Sequence, residues 1–83
     1  MAVYQYRLTC WGTLRPQVIL ELFRRGIYWA RGGPTPLDTQ RRRHHLRIRA
    51  ENESQAIKQA RTEIERAGAS AREIVKVQVV GSD

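Results

Sequence analysis

Residues 3–11, VYQYRLTCW, alternate between two faces. Tyr4, Tyr6, Leu8 and Cys10 fall on one side; Val3, Gln5, Arg7, Thr9 and Trp11 fall on the other. A period of two in residues of high β-propensity predicts a strand with one buried face. Gly12 breaks the alternation. Thr13 is then placed to cap a helix in which Pro16 sits early enough to be tolerated. Leu14, Val18, Leu22 and Phe23 recur at helical spacing with Ile19 beside them, and Arg24, Arg25 and Gly26 supply a basic last turn and a stop.

The aromatic segment IYWAR, residues 27–31, predicts a short second strand bounded by glycine. GGPTPLDTQ follows, and its two glycines, two prolines and Asp38 predict an exposed, flexible, basic loop over about residues 31–43. Residues 43–50 alternate again, with Leu46, Ile48 and Ala50 facing inward and His45, Arg47 and Arg49 facing outward. Asn52 caps a second helix, and Gln55 three residues on echoes the capping box. The buried stripe of that helix is expected to be Ile57, Ala60, Ile64 and Ala67, ending at Gly68. Residues 73–80, EIVKVQVV, predict a fourth strand with Val75, Val77 and Val79 inward and Lys76, Gln78 and Val80 outward. The resulting order predicts an α+β fold, a ferredoxin-like βαββαβ sandwich: a four-stranded antiparallel sheet with two helices on one face and the first and third strands at its centre.

At 83 residues the chain is expected to form a single domain spanning residues 1–83. Hydrophobic content of 41% and charged content of 28% exclude a disordered class. No apolar run approaches the roughly 20 residues of a membrane-spanning helix, and the first residues lack the pattern of a secretory leader. A lone cysteine, Cys10, excludes an intrachain disulfide and fits a reducing compartment, so a cytoplasmic setting with no membrane partner is expected.

Charge changes the picture more than composition does. Residues 1–50 carry ten arginines against Glu21 and Asp38, whereas residues 51–83 are close to neutral, giving +7 in all. Arginine favours planar, bidentate contact with phosphate or carboxylate. In a ferredoxin-like sandwich one sheet face has no helix over it, and the alternation puts Arg7, Arg47 and Arg49 there on neighbouring strands. Arg41, Arg42 and Arg43 adjoin that face from the loop, and Trp11 stands at a strand end. A solvated sheet face accounts for polar residues in general. A like-charge cluster on adjacent strands also invites a counter-charge from outside. Three sources stay open: nucleic acid, an acidic protein, or a second copy of this chain in a homo-oligomer. No RNP-type sequence is present, and the third strand offers no aromatic for base stacking.

The segment TLRPQVILELFRRGIYWA, residues 13–30, resembles the opening of ACT domains, with an Arg-Pro at the strand–helix turn and a Phe-Arg-Arg-Gly-Ile exit. The resemblance implies a dimerising regulatory module that binds a small ligand, often an amino acid, at a subunit interface. The chain departs from that pattern at Gln17, where the family carries a glycine.

Catalytic and metal chemistry are not expected, and no cofactor is. His44 and His45 are adjacent in a strand, so their rings diverge, and both are expected at the surface. One cysteine and two histidines do not make a structural zinc site. Cys10 is expected as a small buried hydrophobe, and Glu63 and Glu65 as carboxylates on a solvated helix face.

Overall fold

The alternating N-terminal segment forms strand β1, Ala2–Trp11, in a computed structural model that describes residues 1–81; Ser82 and Asp83 lie outside the described residues. The remaining elements are helix α1 (Pro16–Arg24), strand β2 (Tyr28–Trp29), strand β3 (Arg43–Ala50), helix α2 (Glu53–Arg66) and strand β4 (Ser70–Val80). The four strands form one antiparallel sheet in the order β2-β3-β1-β4, with the ferredoxin-like βαββαβ connectivity. Among the described residues, no helix is long and apolar enough to cross a membrane.

The core lies between the sheet and the helices. Tyr6, Leu8 and Cys10 of β1 meet Leu46, Ile48 and Ala50 of β3, and Ile19, Leu22, Ala56, Ala60 and Ile64 cover them from the helices. Each large aliphatic buried this way contributes roughly 1.5–3 kcal/mol. The small residues on α2 let that helix lie close to the strands, while Ile57 is only partly buried and Ala56 takes its place in the stripe. Asn52 caps α2 by accepting from the Gln55 backbone N–H at 2.9 Å. The Gln55 side chain reaches back to the Glu51 N–H at 3.4 Å, one residue before the usual partner in a capping box. Gly68, at φ +96°, ends α2 in a conformation that side chains with a Cβ rarely adopt.

Four expectations need correction. Thr13 does not cap α1: the N-cap is Arg15, without a side-chain cap bond, and Pro16 opens the helix, where a missing N–H costs nothing. β4 keeps Val79 on the helix side, opposite Tyr4, but does not carry that alternation on to Val77 and Val75. Register shifts between Gln5 and Tyr6 and between Thr9 and Cys10 let β4 bulge opposite β1. Ile74 and Lys76 therefore share the helix side, Val75 lies opposite Arg7 on the open face, and Val77 is half exposed. An inserted residue flips the faces of everything beyond it.

The other two corrections concern polar groups. His44 is 1% exposed, because it shares the inward parity of Leu46 and Ile48. Glu63 is buried as well. Its carboxylate accepts from Arg66 at 2.9 Å and from Arg25 at 3.3 Å, and Arg66 also reaches Glu21 at 3.0 Å. This network joins α1 to α2, and hydrogen bonds from Arg66 to Glu63 and then Glu21 hold its guanidinium pKa above the ordinary value.

The connection from β2 to β3 carries a 3-10 helix over Pro36–Gln40. Asp38, itself buried, accepts from the Thr35 backbone N–H at 2.6 Å and pairs with Arg41 at 3.5 Å.

Candidate functional site

Strand register decides which side chains meet on the open face. β1 and β3 pair Gln5 with Arg47, Arg7 with His45 and Thr9 with Arg43. Trp29 of β2 lies beside His45, and Val75 of β4 lies beside Arg7. One row, Val75–Arg7–His45–Trp29, thus crosses all four strands. No two arginines are directly opposed. Arg7 is diagonal to both Arg43 and Arg47, a spacing of about 7–8 Å. That stagger lowers like-charge repulsion while keeping three guanidiniums on one patch.

Of the residues singled out from the sequence, Arg7, Arg43 and Arg47 come together at the centre. Arg49 lies farther along β3, opposite Val3, and borders a shallow hollow with Arg25 and Gln59. Arg42 sits over the Trp11 ring at 5.7 Å, at the far end of β1. Arg41 is turned to Asp38. Lys76, expected on this face, points to the helix side and pairs with Glu53 at 3.3 Å.

Among the described residues, Arg7, Arg43, Arg47 and Arg49 form no ion pair. Glu73, opposite Thr9, is the acid that the register puts at the β4 margin of the face.

Trp29, which periodicity alone did not place, is an open-face residue. The Arg47 guanidinium lies over its ring at 5.4 Å, and the His45 ring meets it edge-on at 5.6 Å. Arg72, carried outward by the second β4 irregularity, sits over Trp11 at 4.9 Å. Trp11 and Trp29 remain 52% and 37% exposed, enough to offer ring surface to a ligand. They stand roughly 17 Å apart, at about 3.4 Å per residue along β1 and 4.8 Å between strands. The parity of His45 was visible in the sequence; the roles of Trp29 and Arg72 depended on β2 pairing and a bulge.

The buried groups beneath this face do other work. A backbone carbonyl only accepts, so His44 Nε2 must donate to the Arg41 carbonyl oxygen at 2.8 Å. Nδ1 is then the acceptor for the Tyr28 hydroxyl at 2.8 Å. Both nitrogens are engaged, and burial holds the His44 pKa below its ordinary 6.5 despite the Arg41 carbonyl and Asp38. His45 is also held low, by burial and then by Arg7. Burial pushes the Cys10 thiol up to about 11, so it remains protonated near neutrality. Among the described residues, no three His, Cys, Asp or Glu side chains gather as metal ligands.

Comparison with protein-family models, curated proteins and solved structures finds no match to this chain.

Proposed function

We propose that this chain is a non-catalytic binding module whose open sheet face holds an anionic polymer, with single-stranded nucleic acid the best fit to its side chains. The observation that carries this reading is the pairing of exposed tryptophans with arginines that have no ionic partner among the described residues. Arg47 rests on Trp29, and Arg42 and Arg72 rest on Trp11. An exposed cation–π contact is worth about 0.5–1 kcal/mol. A base stacked on an aromatic ring is worth about 1–3 kcal/mol. An unstacked base therefore displaces the guanidinium from the ring, and the freed arginine turns to the neighbouring phosphate. A duplex keeps its bases stacked inside and makes only the phosphate half of that exchange, which favours single strands.

The test is a salt titration of labelled single- and double-stranded oligonucleotides. Affinity for the single strand should fall steeply, with a log–log slope of about −0.7 per phosphate neutralised. Arg47→Ala should reduce the magnitude of that slope by roughly one contact. Trp29→Ala should weaken binding with less change in slope. Absence of binding at low ionic strength would remove the reading.

Assembly is a second reading, favoured by the β4 edge. β4 is a long outer strand whose other side is unpaired among the described residues, and Val77, Val79 and Val80 are exposed on it. A second copy pairing edge to edge about a two-fold axis would satisfy those backbone groups. Light scattering should give a dimer that Val79→Lys dissociates. A strict monomer at high concentration, with no thermal shift from amino acids, would remove both this dimer and the ligand-binding dimer that the ACT-like segment implies.

A further inference from the structure

The open face is bounded at one end by the β2–β3 connection, and a cavity of about 260 Å³ lies in that corner. Its rim holds Trp29 and His45 from the face, together with Arg31, Arg41 and Arg43. Its floor is built from Tyr28, His44 and Asp38, which are 4%, 1% and 5% exposed. That floor is fixed by the Tyr28–His44–Arg41 hydrogen-bond chain and by the Thr35 N–H on Asp38.

We propose that this corner receives a terminal phosphate monoester of a nucleic-acid strand whose last base stacks on Trp29. The proposal rests on the nucleic-acid reading of the open face and names the part of the ligand that this corner takes. Three arguments carry it, from charge, size and position.

Three guanidiniums face one carboxylate, and Asp38 is already held by Thr35 and Arg41. Arg31 and Arg43 therefore remain for a ligand. A phosphate monoester carries about −1.5 to −2 at pH 7, against −1 for an internal diester, so a cation cluster discriminates in favour of an end. The cavity is also smaller than the roughly 300–1,000 Å³ typical of drug-sized pockets, which suits one terminal group rather than a run of nucleotides. The connection closes over this side: Gly33 N–H bonds the Ala30 carbonyl at 3.0 Å, in a turn where Gly32 and Gly33 both have positive φ. A strand whose last base lies on Trp29 brings its end into this corner, because Trp29 and His45 form the rim.

The experiment compares one short single strand in three forms: 5′-phosphorylated, 3′-phosphorylated, and hydroxyl at both ends. Each is titrated by fluorescence anisotropy against the protein and Arg31→Gln. Charge-assisted hydrogen bonds of this kind predict that one phosphorylated form binds about ten-fold tighter than the hydroxyl form. Arg31→Gln should erase that ratio while leaving the hydroxyl form within about two-fold, and inorganic phosphate should compete the advantage away. Equal affinity for all three forms would overturn the corner site and leave the face reading standing. An advantage that survives Arg31→Gln would also overturn it. Loss of binding by every strand would overturn both, and phosphate binding without strand binding would reduce the corner to a small-anion site.

Discussion

The two sides of the sheet treat charge in opposite ways. On the helix side, Glu21, Arg25, Glu63 and Arg66 form one network, and Lys76 pairs with Glu53. On the open side, Arg7, Arg43, Arg47 and Arg49 have no ionic partner among the described residues. The helix-side charges are spent on holding α1 and β4 to α2. The open-side charges add little to stability and stay available to something outside the chain, so substitutions on the two sides should separate stability from binding.

The sharpest break between the sides lies in two adjacent residues of β3. Leu46 is fully buried and Arg47 is exposed on the opposite face. Leu46→Ala should cost about 2–5 kcal/mol in chemical denaturation, through lost transfer energy and the cavity left behind. Arg47→Ala should change stability by no more than about 0.5 kcal/mol and still weaken oligonucleotide binding. If both variants lost comparable stability, the open face would be part of the folding machinery.

The next contrast is between His44 and His45. His44→Ala strands the Tyr28 hydroxyl and the Arg41 carbonyl, which should cost about 1–3 kcal/mol. His45→Ala removes only a half-buried ring beside Trp29 and should cost less. Both imidazoles titrate below 6.5 when folded, so the unfolded chain takes up protons first as pH falls. Stability should be at its plateau above about 6.5 and decline below it, until the folded pKa values are reached. The groups around His44 are Tyr28, Asp38, Arg41 and His45; burial outweighs the Arg41 carbonyl and Asp38, and the Arg41 and His45 charges act in the same direction as burial. In denaturation midpoints measured from pH 8 to 5, His44→Phe should flatten most of the decline. An unchanged slope in that variant would place the proton uptake elsewhere.

How far the sequence carries depends on what each residue needs in order to be placed. Alternation in β1 and β3 was enough to assign Tyr6, Leu8, Leu46 and Ile48 to the core, since parity within a strand needs no partner. The same parity put His44 inward, and only the general preference of histidine for surfaces argued otherwise. β4 could not be read this way. EIVKVQVV alternates well, but its bulge depends on how it pairs with β1. The arginines of the open face were visible one at a time. Their stagger, and the contact of Arg47 with Trp29, depend on inter-strand register and on where a two-residue strand docks. Glu63 looked solvated because its partner Arg25, and Glu21 to which Arg66 also donates, lie about forty residues away in sequence.

Tyr6 tests whether the helix side is as fully satisfied as its ion pairs imply. Its ring is fully buried, and its hydroxyl has no hydrogen-bond partner among the described residues. Burial, then Glu53 and Tyr4, push its pKa up to about 12, so it stays neutral. An unsatisfied buried hydroxyl costs about 1–3 kcal/mol, and some of that is offset by the packing of the oxygen. Tyr6→Phe should raise stability by about 1 kcal/mol. A loss of similar size would show that the hydroxyl is bonded in solution.

The smallest effect is expected where the two sides can be compared charge for charge. Glu63 is buried, but the guanidiniums of Arg25 and Arg66 are 45% and 49% exposed, so removing the carboxylate strands no buried cation. Screening by solvent limits the network to roughly 0.5–1 kcal/mol. Glu63→Gln should lose about that much at low salt and less as salt rises, because the amide keeps the shape of the acid and can still accept from Arg66. Its oligonucleotide affinity should match that of the parent at every salt concentration, since the charge it removes lies on the helix side of the sheet. Arg47→Ala should show the reverse, with stability nearly constant and a shallower salt dependence of binding. If Glu63→Gln changed the salt slope as much as Arg47→Ala, binding would follow net charge rather than the open face, and the division between the two sides would not hold.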